Sequence, residues 1–477
     1  MFPFVKTGGL ADVVGALATT LGRRGHEVEV FLPGYRVILE SPAGRGAEVS
    51  ARFKVSLGGR DLAGEVRTVA AGRGVTLHLV TRDEFFDRTH LYWNGVRDYD
   101  DNDARFLFFQ KAVIELLLRA GRHVDVLHAH DWQTGLLPLL WRQAEQRAGV
   151  HLVERTVFTI HNLAYQGVFP RESFGLTGLH HSLNTMEGIE YYGGISFLKA
   201  GILYADKVTT VSPTYAREIR TPEAGLGMDG VVRFRGAALS GIRNGIDPAV
   251  WNPATDALLP ARYEAANLAG KAVCRAALLR SCGWNEAYAG PVFGMVSRMT
   301  RAKGHDLVLG AAEFLVRNDC RLVVLGAGEA GFEQAFRELA AAHPGHVSVR
   351  IKGDEPMSHL IEAGADFFLM PSRAEPCGLN QMYSQVYGTI PLAGRTGGLI
   401  DTVVDLVEKP KRGTGFLFRP EPAEFAAALG RALALFADKP ALTAAQRRGM
   451  ERDFSWESVI PAYEALYGLK GAAPAHG

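Results

Sequence analysis

Cysteine is scarce: Cys274, Cys282, Cys320 and Cys377 are the only four in 477 residues, and they form no C-x-x-C pair and no metal-ligand spacing. That argues against a disulfide framework in a chain of this length, and reduced thiols fit the cytosol. Charge of one sign is missing too. The formal net charge is +1, so nothing points to nucleic acid or to an anionic membrane surface as a partner. No run of about 18 uncharged apolar residues is present to span a bilayer. The opening MFPFVKTGG has no basic region followed by a long apolar run, so it does not read as a secretory signal. Low-complexity tracts are absent, the 54 glycines and 22 prolines being spread along the chain. A cytoplasmic location is the expectation.

The length calls for about two or three domains. Short β-branched runs alternate with helical patterns throughout. In the first half strands are expected at Glu27–Leu32, Val75–Val80, Val124–His128, Thr156–His161, Lys207–Val211 and Leu239–Arg243, with helices such as Leu10–Arg24 and Arg105–Arg119 between them. In the second half they are expected at Val292–Val296, Arg321–Leu325, Val347–Ile351, Asp366–Met370 and Ile390–Leu392. This alternation predicts an α/β protein with parallel sheets covered by helices on both faces. The Pro-, Asn- and Ala-rich stretch Asp247–Ala289 breaks the rhythm and suits a boundary between two doubly wound domains. Ligands are expected in a cleft at the carboxyl ends of the strands.

Several groups carry chemistry at such strand ends. Lys6-Thr7-Gly8-Gly9 leads into a helix, where backbone N–H groups and the helix dipole favour an anion; a tight turn with a solvated lysine is the plainer reading. Arg298 ends a strand, and Lys303-Gly304 precedes the next helix. Two such cations can clamp a diphosphate and do the neutralising work that Mg²⁺ does elsewhere, or they are surface charges. In Pro371–Leu379, Glu375 can accept sugar hydroxyls while Gly378 and Leu379 offer N–H groups; the alternative is that Glu375 caps a helix. Cys377 reads as a small packed residue, having no evident histidine partner.

His128 and His130 alternate on a strand that runs into Asp131, and His161-Asn162 ends the next one. A metal would need a third ligand that spacing does not identify, so no metal is expected. Asp131 is expected to reach a substrate hydroxyl while the histidines bond locally. Gly326–Gly331 satisfies G-x-G-x-x-G between a strand and a helix, with Asp354 placed as a ribose acid. It lies in the second βα unit of its domain, whereas dinucleotide loops follow the first strand, so it reads as a tight turn.

These groups stand in stretches that are recognisable together. KTGGLADVVGAL, LHAHDWQTGLLP, HNLAYQG, ISFLKAGILYAD, VSPTYAREI, NGID, SRMTRAKG, PSRAEPCGLNQMY, RTGGLIDTV and DFSW occur in the order seen in bacterial glycogen synthases and plant starch synthases. The resemblance runs from Phe2 to about Leu469. It implies the GT-B fold: two Rossmann-like domains facing across a cleft, with a C-terminal helix returning to the N-terminal domain. The implied domains are residues 1–246 completed by 456–477, and 247–455.

It also implies transfer of glucose from ADP-glucose to the non-reducing 4-OH of an α-1,4-glucan, with retention, no metal and no cofactor. Carried over by position, the catalytic set is Asp131, His161, Arg298, Lys303 and Glu375. The substrate-binding set is Lys6, Gly9, Asp12, Asn162, Asn244, Cys377, Gly378 and Leu379. Tyr99–Asn102 also matches positions near the sugar. The family begins with a strand ahead of the position of Met1, so the natural reading frame is expected to extend upstream. Gly394 stands where an arginine is common. The competing readings are a glucan- or nucleotide-sugar-binding protein without turnover, and a dinucleotide-dependent oxidoreductase using Gly326–Gly331.

Overall fold

Val13, Leu17 and Leu21 repeat every four residues and give the helix Gly9–Arg23 one apolar face. That face is buried against Trp456, Val459, Ile460, Tyr463 and Tyr467 of the helix Trp456–Tyr467, with Val157 and Ile242 beneath. Arg24 donates to both oxygens of Glu464, at 2.8 and 3.0 Å, and fixes the pairing. The structure is a computed structural model that describes residues 1, 3–5 and 8–469. Its chain divides into two units, Met1–Ile242 joined by the segment from Trp456, and Arg243–Ser455.

The first unit holds three sheets. β1 (Val28–Pro33), β2 (Glu48–Leu57), β3 (Arg60–Ala70) and β4 (Val75–Thr81) pair in the order β1-β4-β3-β2. β5 (Val124–His130) and β6 (Val153–Ile160) belong to a second, parallel sheet. β7 (Val168–Phe169), β8 (Glu190–Tyr191) and β9 (Gly194–Ser196) form a small antiparallel one. β10 (Lys207–Thr210) and β11 (Leu239–Gly241) complete the second sheet in the order β11-β10-β6-β5.

The expected strands of this unit are present within three residues at their ends. The hairpin β2–β3 was not expected, and it makes the first sheet mixed rather than parallel. Its signal is legible in retrospect: Phe53, Val55 and Leu57 alternate with exposed polar residues and run into Gly58-Gly59, both with positive φ.

β1 and β5 each end a sheet. Beside them lies a cavity of about 440 Å³ lined by Val28, Val30 and Leu32 of β1 and by Val124 and Val126 of β5, with Val14 on the helix face.

In the second unit β12 (Val292–Val296), β13 (Arg321–Leu325), β14 (Val347–Arg350), β15 (Phe367–Met370), β16 (Ile390–Gly394) and β17 (Phe416–Phe418) form one parallel sheet, ordered β14-β13-β12-β15-β16-β17. Successive residues feed opposite cores: Phe367 and Leu369 join one cluster and Phe368 the other. Burial on both faces explains why these strands read as unbroken apolar runs. The strand order reverses between β12 and β15, which is where a doubly wound sheet opens a binding crevice. The stretch Asp247–Ala289 carries the helix Ala269–Ser281 and no named strand among its residues.

Candidate active site

Three segments of the second unit meet at the β12/β15 switch point. Arg298 follows β12, Lys303 ends the short turn Arg301–Lys303, and Glu375 to Leu379 follow β15. Arg298, Lys303, Glu375, Gly378 and Leu379 line one cavity of about 160 Å³. Within it the Lys303 ammonium donates to Glu375 Oε2 at 2.5 Å, and Ser372 Oγ donates to the same oxygen at 3.3 Å. Glu375 is buried, so its carboxylate has exchanged water for these donors. It is not a helix cap: Leu379 stands at the start of the helix Asn380–Val386.

Glycines let these segments touch. Gly304 has φ +76°, and a Cβ there would lie 2.1 Å from the Pro371 carbonyl oxygen. Gly378, at φ +72°, would bring a Cβ to 2.5 Å from Gln381 Oε1. Gly397 and Gly398 support the loop from below; their Cβ atoms would meet the carbonyls of Glu375 at 2.0 Å and Cys377 at 2.3 Å. A Cβ on Gly394 would lie 2.1 Å from the Ser372 carbonyl oxygen, so this backbone leaves no room for an arginine there.

The G-x-G-x-x-G stretch has a role in the same construction. A Cβ on Gly326 would sit 1.9 Å from the Ser297 carbonyl and one on Gly328 would sit 2.3 Å from that of Met299. The backbone joins there too: Met299 N–H donates to Ala327 O at 2.9 Å and Glu329 N–H to Met299 O at 2.8 Å. These two glycines seat the loop that carries Arg298. Asp354 caps the helix Glu355–Gly364 by accepting from Met357 N–H.

Three further residues, not singled out from the sequence, tie the segments together. Arg373 forms a bidentate pair with Asp306, at 2.7 and 2.8 Å, and donates to Arg301 O. His305 Nε2 lies 3.1 Å from Arg298 O and 2.9 Å from Ser297 Oγ, and burial lowers its imidazole to about 4. Asn380 Nδ2 donates to Val296 O at 2.9 Å. Only their adjacency to the cationic motif and to PSRAEPCGL hinted at this. Cys377 is buried, its thiol pushed up to about 12 by burial while it accepts from the Asn244 N–H. A thiol held protonated is a packed group and a poor nucleophile. Asn244 is buried as well, with Oδ1 lacking a hydrogen-bond partner among the described residues.

In the first unit Asp131 follows β5 and His161 follows the adjacent β6. Asp131 holds φ +54°, a left-handed conformation that a non-glycine residue adopts at a cost of about 1–3 kcal/mol. Its Oδ1 accepts from the His161 N–H at 2.7 Å, and the Asn162 N–H supports it too. Asp131 therefore faces the neighbouring strand tip and fixes the turn that presents His161 and Asn162. Burial raises its carboxyl to about 7, against those two backbone bonds, which favour the ionised form.

His130 Nδ1 and His161 Nε2 lie 3.0 Å apart, so one ring donates and the other accepts. His128 bonds Tyr467 OH at 2.7 Å and Thr159 Oγ1 at 2.6 Å. Burial holds His128 and His161 well below the usual imidazole range and His130 at about 3. All three rings are therefore neutral near pH 7.

Gly9 and Asp12 lie on the first turn of Gly9–Arg23; a Cβ on Gly9 would meet nothing within 4 Å. Lys6 lies outside the described residues. Tyr99 to Asn102 serve internal cations: Asp101 takes both arms of Arg88, and Asn102 Oδ1 accepts from Arg105. Among the described residues no three His, Cys, Asp or Glu side chains are grouped to hold a metal ion, and no helix is long and apolar enough to cross a membrane.

Comparison with known proteins agrees with this architecture. Residues 1–234 match the starch synthase catalytic domain family and residues 284–444 the glycosyl transferases group 1 family. Glycogen synthase of Opitutus terrae is 55% identical over 467 residues, covering 98% of this chain and 97% of that protein. Glycogen synthase 2 of Geobacter sulfurreducens is 44% identical over 98% and 96% of the two chains. The solved catalytic domain of Starch Synthase IV from Arabidopsis thaliana, bound to ADP and acarbose, superposes with a TM-score of 0.90 at 33% identity, covering 98% of this chain and 97% of that one. With relatives of this identity matched over nearly its whole length, the chain belongs to the glycogen and starch synthase family, GT-B glycosyltransferases that add glucose in glycogen synthesis.

Proposed function

We propose that the protein transfers glucose from ADP-glucose to the non-reducing 4-OH of an α-1,4-glucan, with retention of configuration and without a metal or cofactor. The observation that carries this is the Arg298–Lys303–Glu375 cluster at the switch point of the second sheet. Its two cations would neutralise the diphosphate of a leaving ADP. The starch synthase structure with bound ADP and acarbose supports a nucleotide and a glucan-like ligand for this family.

In this reading the second unit holds the donor. Arg298 and Lys303 stabilise the departing diphosphate, and the N–H groups of Gly378 and Leu379 assist. Glu375 accepts hydroxyls of the transferred glucose, with Asn244 and Cys377 shaping the wall. Asp131, His161 and Asn162 of the first unit line the sugar site, Lys6 and Gly9 belong to the donor site, and Asp12 is among the substrate-binding residues. The His161 carbonyl stabilises positive charge developing at the anomeric carbon. Catalysis is then positioning plus charge placed on the leaving group. The reaction requires no nucleic acid or membrane partner, and a cytoplasmic location fits it.

The test is glucose incorporation into glycogen, with ADP-glucose and UDP-glucose compared side by side without added metal. Incorporation from ADP-glucose that is abolished in Lys303→Ala and Glu375→Ala supports the proposal. Incorporation from UDP-glucose alone overturns the donor assignment.

A further inference from the structure

His161 is held at two points from β5. Its backbone N–H is fixed by Asp131, and its ring by His130, the last residue of that strand, with His130 Nδ1 and His161 Nε2 3.0 Å apart. This contact uses Nε2 and is the one hydrogen bond of the His161 ring among the described residues, so Nδ1 is left for a ligand.

His130 is itself braced. Its N–H donates to Thr134 Oγ1 at 2.7 Å, and the same hydroxyl donates to His130 O at 2.8 Å. The His128 ring lies beside it, with centroids 4.0 Å apart and planes tilted by 32°. His128 is pinned in turn by Tyr467 OH of the helix Trp456–Tyr467 and by Thr159 Oγ1 of β6. Two strands and the last helix therefore order the His130 ring, and a single hydrogen bond passes that order to His161.

Mutual satisfaction of two buried nitrogens is the plainer use of such a bond. Neighbouring imidazoles are a costly way to reach it, because each ring gives up water for the bonds it keeps. Apolar side chains avoid that cost, and His130 already lines the aliphatic cavity beside β1 and β5. What an imidazole adds is direction. The rotation of a histidine ring about its Cβ–Cγ bond is broad unless a partner fixes it, and a directed hydrogen bond from His130 fixes it here. We propose that His130 is a positioning residue for glucosyl transfer: it sets the rotation of the His161 ring, and with it where Nδ1 meets the sugar. The inference rests on the sugar-site reading above and extends it to a group that acts through His161.

The experiment compares His130→Leu and His130→Asn in the full chain. Leucine removes the nitrogen and suits the aliphatic cavity, whereas asparagine puts an amide at the position of Nδ1 and restores the bond. In His130→Leu, kcat for glucose incorporation into glycogen should fall about tenfold or more. Its Kd for ADP should stay within about twofold of wild type, because the nucleotide is read as bound by the second unit. His130→Asn should return kcat to within about threefold of wild type. Crystal structures should show the His161 ring turned or split between orientations in His130→Leu and native in His130→Asn. His130→Gln, whose amide sits one bond farther out, should behave like His130→Leu and replaces it if the leucine variant does not fold.

Wild-type kcat in His130→Leu overturns the inference. So does a His161 ring that keeps its native orientation there, or a His130→Asn as slow as His130→Leu. A wild type that incorporates no glucose from either nucleotide sugar defeats the proposed function, and the His161 orientations in the two crystals then decide the positioning role by themselves.

Discussion

Lys303 Nζ and Glu375 Oε2 are 2.5 Å apart in the second unit, the cation proposed for the diphosphate being held by the carboxylate proposed for the sugar. The pair holds both side chains in place before a ligand arrives, and a diphosphate must compete with Glu375 for Lys303. Lys303→Ala should lower kcat by about 10²-fold or more, because it removes leaving-group stabilisation and strands a buried carboxylate. Glu375→Gln should also lower glucose transfer, yet bind ADP roughly threefold or more tightly, since it frees the ammonium. Calorimetry with ADP on both variants checks the opposite signs. Equal weakening of ADP binding in the two would refute the competition.

The pH dependence of the first unit follows from four buried groups. Asp131 is raised to about 7, so between about pH 4 and 7 the folded state keeps a proton that the unfolded state has lost. His128, His130 and His161 are lowered, so below about 6.5 the unfolded state gains protons that the folded state refuses. Between pH 6 and 4 unfolding therefore takes up three protons at the histidines and releases one from Asp131, and stability falls with acid. Asp131→Asn removes the release. Its stability should fall more steeply than wild type as pH drops through this window, by about 1.4 kcal/mol per pH unit. Denaturant titrations at pH 4.5, 5.5 and 6.5 read the slope, and parallel slopes would remove Asp131 from the account.

Gly326 and Gly331 belong to one motif and should behave oppositely. A Cβ at Gly326 meets the Ser297 carbonyl at 1.9 Å, whereas one at Gly331 meets nothing within 4 Å. Gly326→Ala should displace the Arg298 loop and lower kcat/KM by about tenfold or more. Gly331→Ala, in the helix Ala330–Ala342, should leave activity unchanged and add up to about 1 kcal/mol of stability. Kinetics and melting temperatures of the two variants check this, together with the absence of NAD binding by the wild type.

The cavity beside β1 and β5 is lined mainly by aliphatic side chains and holds about 440 Å³. An amphiphilic dye such as anilinonaphthalene sulfonate should bind the folded protein with one-to-one stoichiometry and raise the melting temperature with dye concentration. Val14→Trp, which projects bulk into the space, should abolish that binding. A dye signal that appears only on unfolding would show the cavity closed in solution.

The parallel strands were legible because burial on both faces leaves unbroken apolar runs such as Val292–Val296 and Phe367–Met370. The hairpin Glu48–Ala70 was not, because one exposed face dilutes its composition with Glu, Arg, Lys and Ser. At the site, Arg298, Lys303 and Glu375 could be picked out as charged residues at strand ends. Their mutual arrangement could not. The Lys303–Glu375 pair joins residues 72 positions apart, and the Arg373–Asp306 clamp joins residues 67 apart. The strained φ of Asp131 is likewise a product of the adjacent strand tip, whose N–H groups hold its carboxylate.

The helix Trp456–Tyr467 covers the apolar face of Gly9–Arg23, although more than four hundred residues separate them in the chain. During synthesis the first unit must wait for that cover. At about 5–20 residues per second, the roughly two hundred residues of the second unit take about 10–40 s to emerge. Throughout that interval Val13, Leu17 and Leu21 can pack on Val157 and Ile242 but lack the cover of Trp456–Tyr467, and the nascent first unit leaves that side of the helix open. The second unit, uninterrupted in sequence, can finish folding first, so the order of maturation runs against the order of translation.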